Sequence, residues 1–355
     1  MLKTNPEVYY SRFSLRLNPH EVDIARLKYA IETALRNHPV FSMQIDEDGM
    51  QVYMHTDDIL HGQYYAIDFC NEGENVRMDV AYNRILGDAT SEKIIFEDVC
   101  RAYKNLPLLS DKYLDYLIQV GQQRKSIRYS SDKQWLEDEF GNLTQPVRPQ
   151  TDVPINENIN PIEAELWEDY SDCRDAINSL QHEELLPMTA LFSLACALAI
   201  MEYNGTDEAA LTWAYGGRET REEQRIYGSL HRDIPFKINR MSKNELIRAA
   251  RKQYREGIAH SGYPFTLTKP YTAIWNYALN VLSQPAKKNI NIPFPFDIVE
   301  SGNDSKVAYS LLDVEIYDGE ALLINYRYSA THYKESSIRR FAAMVRKYVE
   351  WLLEN

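Results

Sequence analysis

The stretch Val76–Tyr103, VRMDVAYNRILGDATSEKIIFEDVCRAY, carries the pattern that decides the fold. From Val76 to Tyr82, apolar side chains alternate with polar or small ones, which is the two-residue period of a half-buried strand. The strand leads into a loop, Asn-Arg-Ile-Leu-Gly-Asp-Ala, and a helix is predicted from about Ser91 to Tyr103. The sequence therefore predicts a strand, a loop and a helix in succession.

The flanking sequence repeats this mixture of strands and helices. A strand is predicted at Tyr9–Leu17, and a helix follows from an Asp23 N-cap to a stop at Asn37-His38-Pro39. The further predicted elements are strands at Val40–Ile45, Gln51–Met54 and Ala209–Ala214, a buried helix within Leu185–Met201 that ends at Asn204-Gly205, a helix at Lys243–Tyr254, an apolar run at Tyr271–Tyr277, a hairpin around Asp318-Gly319 and a closing helix at Ile338–Leu352. The pattern predicts a mixed α/β fold.

One segment is typical of a boundary between domains. Thr144–Pro161 holds four prolines and few apolar residues. We therefore predict two halves of the chain, residues 1–150 and 151–355.

Charge and cysteine usage exclude several classes of protein. The 355 residues include 52 Asp and Glu against 39 Lys and Arg, a net charge of −13 that disfavours nucleic-acid or anionic-membrane partners. The spacing of Cys70, Cys100, Cys173 and Cys196 suggests neither a disulfide framework nor a metal site. The longest apolar run falls short of a bilayer span, and we expect a cytoplasmic location.

Six short stretches, in order, resemble motifs of nonribosomal peptide synthetase condensation domains. They are Asn37–Met43 within the unit Asp23–Ile45, the segment Val80–Ile95 with a loop like HHxxxDG, Gly216-Gly217-Arg218, Tyr227–Phe236, Tyr263-Pro264-Phe265, and Pro270–Asn280. The resemblance implies an α/β fold with two chloramphenicol-acetyltransferase-like lobes in a V and a tunnel between them. It also implies that carrier proteins deliver thioesters on phosphopantetheine arms, or that a CoA thioester is the substrate, with no bound cofactor and no metal.

The chain departs from the family at the residues that carry the chemistry. The histidine pair of the motif is Asn83-Arg84 here, and the family arginine that often pairs with the motif aspartate is Ser42. A guanidinium stays protonated at physiological pH and has no lone pair, so Arg84 cannot act as the base. Asp88 keeps the structural position of the motif aspartate, and Arg84 or Arg218 is expected to supply its cation, with Arg84 favoured.

Other candidate site residues follow from the resemblance. His231 lies in a segment that lines the tunnel in the family, and it is the candidate outside the motif for the lost base. Gly87, Arg218, Tyr263, Trp275 and Asn276 are expected to line the tunnel or to have structural roles, and Trp275 is more typical of strand packing than of a cofactor site.

Two functions remain open from the sequence. The first is a non-catalytic docking platform for a peptidyl or acyl carrier protein or for a tailoring enzyme. It is favoured by a partial similarity to X domains, whose motif also bears arginine at its second position and which recruit cytochrome P450 enzymes. The second is an active, divergent acyltransferase that forms an amide or ester from an acyl thioester.

Overall fold

A computed structural model describes residues 10–48, 50–54, 56–141, 148–155, 161–267, 279–285, 293–302, 308 and 310–354. The chain forms two compact units. The first draws on Met1–Gln122, Gly216–His231 and Lys288–Ser305, and the second on Gln123–Tyr215, Arg232–Lys287 and Lys306–Asn355. This division differs from a single cut at residue 150, because two stretches of the second half of the chain pack in the first unit. We call Gly216–His231 the insert segment.

The first unit contains a sheet with helices packed on it. Its five-stranded antiparallel sheet has the order β11-β1-β6-β5-β4, and a separate two-stranded sheet pairs β2 with β3. The strands are β1 (Tyr10–Leu17), β2 (Met43–Ile45), β3 (Gln51–Tyr53), β4 (His61–Gly62), β5 (Tyr65–Glu72), β6 (Asn75–Asn83) and β11 (Asp297–Gly302), and the helices are α1 (Ile24–Asn37), α2 (Ala89–Tyr103) and α3 (Tyr113–Gln123).

The apolar face of α1 forms much of the core of the first unit. Leu27, Ile31 and Leu35 are buried and belong to one cluster with Leu15 and Leu17 of β1. The Asp23 side chain caps α1 by accepting a hydrogen bond from the backbone N–H of Arg26. The predicted helix from Asp23 to Asn37 is therefore confirmed.

The strand predicted at Val40–Ile45 is wrong over its first half. Pro39–Ser42 forms a 3-10 turn, and only Met43–Ile45 is a strand. Val40 and Phe41 are apolar because they point into the core from this turn, where both are buried.

The second unit contains the larger core. Its six-stranded sheet has the order β7-β13-β12-β10-β8-β9, in which β10 runs parallel to both neighbours and the other pairs are antiparallel. The strands are β7 (Glu163–Asp169), β8 (Glu208–Tyr215), β9 (Arg232–Asn239), β10 (Leu279–Pro285), β12 (Leu312–Asp318) and β13 (Leu322–Ser329), and the helices are α4 (Ile127–Phe140), α5 (Arg174–Glu184), α6 (Met188–Asn204), α7 (Lys243–Ala259) and α8 (Glu335–Leu353).

Helix α6 is buried on nearly all sides. Phe192 and Ala195 have no exposed surface, and the helix ends at Gly205, whose φ of 68° is the left-handed conformation that favours glycine. The predicted buried helix is confirmed, with its start at Met188 because Pro187 precedes it. Among the described residues no single helix has the length and composition of a membrane span, and Ser171–Glu184 with Met188–Asn204 meets that test only as a pair bent by 105°.

We expect Gly257→Ala to destabilise the second unit, although alanine is the better helix former. A Cβ at Gly257 of α7 would lie 2.4 Å from Cγ2 of Ile234, a buried side chain of β9. Overpacking of this kind costs about 1–3 kcal/mol, more than the ~1 kcal/mol gained in helix propensity. Urea denaturation followed by circular dichroism measures the change.

Gly121→Ala is the matched control for this prediction. Gly121 lies in α3, and a Cβ there would meet no atom within 4 Å. This variant should be neutral or more stable by up to about 1 kcal/mol. Equal effects of the two substitutions would contradict the packing argument.

Candidate functional site

The loop that resembles the HHxxxDG motif joins strand β6 to helix α2. Asn83 is the last residue of β6, and Ala89 is the first residue of α2. Because β6 lies between β1 and β5, the start of the loop is fixed at the centre of the sheet of the first unit. The loop residues are therefore held by regular structure on both sides.

Asn83 is a turn residue inside the protein. Its side chain is 1% exposed, and its Oδ1 accepts a hydrogen bond from the backbone N–H of Ile85 at 3.0 Å. Its carbonyl oxygen accepts a second turn hydrogen bond from the N–H of Leu86. Asparagine commonly stabilises turns in this way. Among the described residues, none accepts a hydrogen bond from its buried Nδ2.

Arg84 has a different environment from Asn83. Its side chain is exposed. It lies close enough to the Tyr82 hydroxyl to interact with it electrostatically. The residue at the second histidine position therefore directs a cation towards the surface.

Asp88 is the centre of the polar contacts in this loop. Oδ1 accepts a hydrogen bond from the N–H of Ser91 at 3.1 Å and so caps α2, and the Ser91 hydroxyl accepts one from the N–H of Asp88. Oδ2 accepts hydrogen bonds from Nη1 of Arg218 at 2.7 Å and from the N–H of Leu230 at 3.1 Å. One carboxylate thus joins α2 to the insert segment.

Of the two cations that the sequence offered, Arg218 forms the ion pair with Asp88. The two side chains are 3% and 12% exposed, and the arginine also donates to the carbonyl oxygens of Ile226 and Gly228. Arg84, which was favoured from the sequence, is replaced in this role because the insert segment places Arg218 directly against the carboxylate. Burial alone would raise the pKa of Asp88, but Arg218 and the N–H groups of Ser91 and Leu230 lower it below its usual value.

Ser91 completes this network and was missed by the sequence interpretation. It is fully buried, and its hydroxyl donates to the carbonyl of Gly228 at 2.9 Å and accepts from the N–H of the same residue at 3.1 Å. The spacing Asp-x-x-Ser before a helix is the signal that identifies it. Gly87 is required beside it because a Cβ there would lie 2.7 Å from Cβ of Ser91 and 3.1 Å from the ring of Tyr227.

The structure brings His231 into the same neighbourhood. Its exposed imidazole has Nδ1 3.0 Å from the hydroxyl of Ser229. The residue between them, Leu230, is buried and donates its N–H to Asp88. His231 is therefore held next to the loop through the backbone of the insert segment.

The remaining predicted site residues are not part of this network. Tyr263 belongs to the second unit, where its ring lies 4.9 Å from that of Tyr129 and packs against a small cluster around Phe140. Trp275 and Asn276 lie outside the described residues, as does the apolar run that contains them. In the described part of the chain, no group of three or more His, Cys, Asp or Glu side chains is placed to hold a metal ion.

Solved structures with the same fold come from peptide and polyketide synthetases. The chain is similar to the epimerization domain of the third module of tyrocidine synthetase B (TM-score 0.76, 16% identity, covering 99% of this chain and 93% of that one). It is also similar to the condensation domain of the monacolin K polyketide synthase (0.76, 14%, 99% and 93%) and to the X-domain from teicoplanin biosynthesis (0.76, 14%, 99% and 92%). No curated protein sequence matches it.

These similarities confirm the mixed α/β fold of the chloramphenicol-acetyltransferase type. The Condensation domain family model matches residues 75–355, which include the β6–α2 loop, the insert segment and the whole of the larger sheet. The chain belongs to the condensation-domain family.

Proposed function

We propose that this condensation-domain protein is a non-catalytic docking platform in nonribosomal-peptide-type biosynthesis. Its partner is a carrier protein or a tailoring enzyme. The observation that carries the proposal is the use made of the motif loop, in which Asn83 forms a buried turn and Asp88 binds three structural donors. The loop supports the fold and offers no base at the positions of the histidine pair.

The chemistry of the two changed positions supports this proposal. An attacking amine or alcohol needs a group that accepts its proton, and such a group works best with a pKa near neutrality. The amide of Asn83 and the guanidinium of Arg84 both lack that property.

A second candidate function is acyl transfer with His231 as the base. It is favoured by the contact between Nδ1 of His231 and the Ser229 hydroxyl. When Nδ1 donates its hydrogen to that oxygen, Nε2 carries the lone pair that a general base needs. The substrate would be an acyl group on a carrier-protein phosphopantetheine arm or on CoA, and the product an amide or ester.

Arg84→Ala and His231→Ala separate the two functions. The wild-type protein should yield no more amide or ester from acyl-carrier thioesters with amines or alcohols than the uncatalysed reaction does, measured by mass spectrometry. Arg84→Ala should leave that result unchanged, and Arg221→Ala is the control because Arg221 is an exposed arginine outside the motif loop. Turnover that Arg84→Ala abolishes would refute the platform proposal. Turnover that survives Arg84→Ala and disappears in His231→Ala would establish the second function.

The platform role also requires binding without chemistry. A holo carrier protein and a cytochrome P450 from the same biosynthetic locus are suitable probes in biolayer interferometry. We expect one of the two probes to bind saturably to the wild type. Arg84→Ala should bind that probe equally well, because in this proposal the motif loop only supports the fold. Absence of binding by both probes, together with measurable turnover, would favour the acyltransferase.

Asp88→Asn should destabilise the first unit strongly. Removal of the carboxylate charge leaves Arg218 buried without its counter-ion, which costs about 3–5 kcal/mol in comparable sites. Because the folded pKa of Asp88 is depressed, its contribution is fully present above its usual pKa of 3.8 and is lost as the pH falls through the folded value. Denaturant titrations between pH 3 and pH 7 measure both effects.

Asp79→Asn is the matched control for Asp88→Asn. Asp79 pairs with Arg77 at 3.0 Å, but the two side chains are 31% and 39% exposed. Exposed ion pairs contribute only about 0–1 kcal/mol, so this variant should be close to wild type. A loss as large as that of Asp88→Asn would show that burial of the pair is not the cause.

A further inference from the structure

A second polar cluster lies in the first unit, around a histidine that the motif loop does not use. His38 caps the C-terminus of α1 and is 1% exposed. Its Nδ1 lies 2.6 Å from Oδ2 of Asp111, and its Nε2 lies 3.2 Å from Oδ2 of Asp98 in an ion-pair contact with poorer hydrogen-bond alignment. Both carboxylates are completely buried.

This geometry favours a protonated imidazole, because two buried carboxylates lie within 2.6 and 3.2 Å of the ring. An ionised carboxylate only accepts hydrogen bonds, and a neutral imidazole has one N–H to donate. Nδ1 forms a hydrogen bond with Asp111, and Nε2 faces Oδ2 of Asp98 at 3.2 Å as an ion-pair contact without a hydrogen bond. The two aspartates, which belong to different elements, therefore stabilise the imidazolium form of His38.

The charged groups around His38 come from α2, from the loop before α3 and from the insert segment. Helix α2 contributes Asp98, and Glu97 beside it is partly exposed. The loop before α3 contributes Asp111, and the insert segment contributes Arg225, whose Nη2 lies 2.9 Å from Oδ1 of Asp98. With His38 protonated, one histidine and one arginine balance the two buried aspartates.

The same two aspartates hold the insert segment. Oδ2 of Asp111 accepts a hydrogen bond from the N–H of Tyr227 at 3.1 Å, and the Tyr227 ring lies 5.2 Å from the His38 ring. Asp98 binds Arg225. Further along the insert segment, the backbone N–H of Gly228 donates to the Ser91 hydroxyl, and the N–H of Leu230 donates to Asp88. His38 thus neutralises the carboxylates to which the insert segment is attached.

We propose that His38 is a protonation-controlled clamp that fixes residues 225–230 of the insert segment to α1 and α2. Loss of its proton leaves two buried carboxylates facing one partly exposed arginine. That excess negative charge is relieved when water reaches the aspartates, and water reaches them when the segment lifts. Deprotonation of His38 therefore releases residues 225–230, which also include the residues in contact with Ser91 and Asp88. The sheet of the first unit stays folded.

The direction of the pH dependence follows from the environment of His38. Burial lowers the pKa of His38, but the contacts with Asp111 and Asp98 outweigh it and hold the pKa above the usual 6.5. A raised histidine pKa gives stabilisation that is complete below 6.5 and is lost as the pH rises through the folded value. The clamp should therefore open at alkaline pH. Because the pKa of Asp98 is lowered, any loss of stability through protonation of Asp98 is confined to pH values below its usual pKa of 3.8.

Hydrogen exchange followed by mass spectrometry tests the clamp in the full chain. After correction for intrinsic exchange, the protection of amides 225–230 in the wild type should fall by up to about tenfold per pH unit between pH 6.5 and the folded pKa and should level off above it, because opening releases a proton only in that interval. The measurement runs from pH 5.5 to pH 9.5. In His38→Gln the protection of these amides should not change with pH and should lie below that of the wild type at pH 5.5, because the variant lacks the imidazolium at every pH.

His61→Gln is a closely matched control. His61 also lies between two aspartates, with Nδ1 2.7 Å from Asp58 and Nε2 3.0 Å from Asp68, but its side chain is 46% exposed. The protection of amides 225–230 in this variant should follow the wild-type pH profile. Asp111→Asn is a second variant, which keeps an oxygen for the N–H groups of Tyr113 and Tyr227 and leaves Arg225 to balance Asp98, so the protection of amides 225–230 should fall less with rising pH than in the wild type.

Three results would overturn the clamp. The first is wild-type protection that stays constant over the whole pH range. The second is a His38→Gln profile that falls in parallel with the wild type. The third is an equal loss of protection in β5 and β6, which would mean that the whole unit unfolds. If His38→Gln does not fold, a fall in protection in Asp111→Asn that is as large as in the wild type would overturn the clamp.

Discussion

The arrangement of the first unit depends on the buried carboxylate of Asp88. It caps a helix, neutralises an arginine and fixes a backbone N–H of a segment more than 120 residues away in sequence. Burial of a carboxylate is unfavourable by itself, and the charge persists because Arg218 and the N–H groups of Ser91 and Leu230 surround it. Removal of any donor would leave a buried polar group unsatisfied. The network is therefore retained as a whole.

The two halves of the motif loop are under separate constraints. Asp88, Gly87 and Ser91 are fixed by charge, space and hydrogen bonding, so each has few tolerated substitutes. Asn83 fits a buried turn, and Arg84 occupies an exposed position. Loss of the histidine pair is therefore compatible with full retention of the fold. A family match alone does not indicate that a member performs the reaction.

Local sequence patterns predicted the elements that local forces determine. The Asp23 cap, the alternation in β6 and the apolar stripe of α8 all act within a few residues, and the structure confirms each of them. The strand predicted from Val40 failed because a core-facing 3-10 turn and a strand share the same short apolar run. The cation of Asp88 was assigned to the nearby Arg84 because sequence distance says nothing about the path of the insert segment. The tunnel predicted from the family stays a prediction.

His38 and His61 show why burial, which sequence does not reveal, decides what a charged group does. Each imidazole contacts two aspartates at similar distances. The partners of His61 are three and seven residues away, so a reader of the sequence finds them, yet water screens that exposed cluster. The partners of His38 are 60 and 73 residues away, and water does not reach them. The contacts of His38 cannot be found from the sequence, yet they are the ones in which charge must be balanced. His38 is therefore the histidine that is able to control a neighbouring segment.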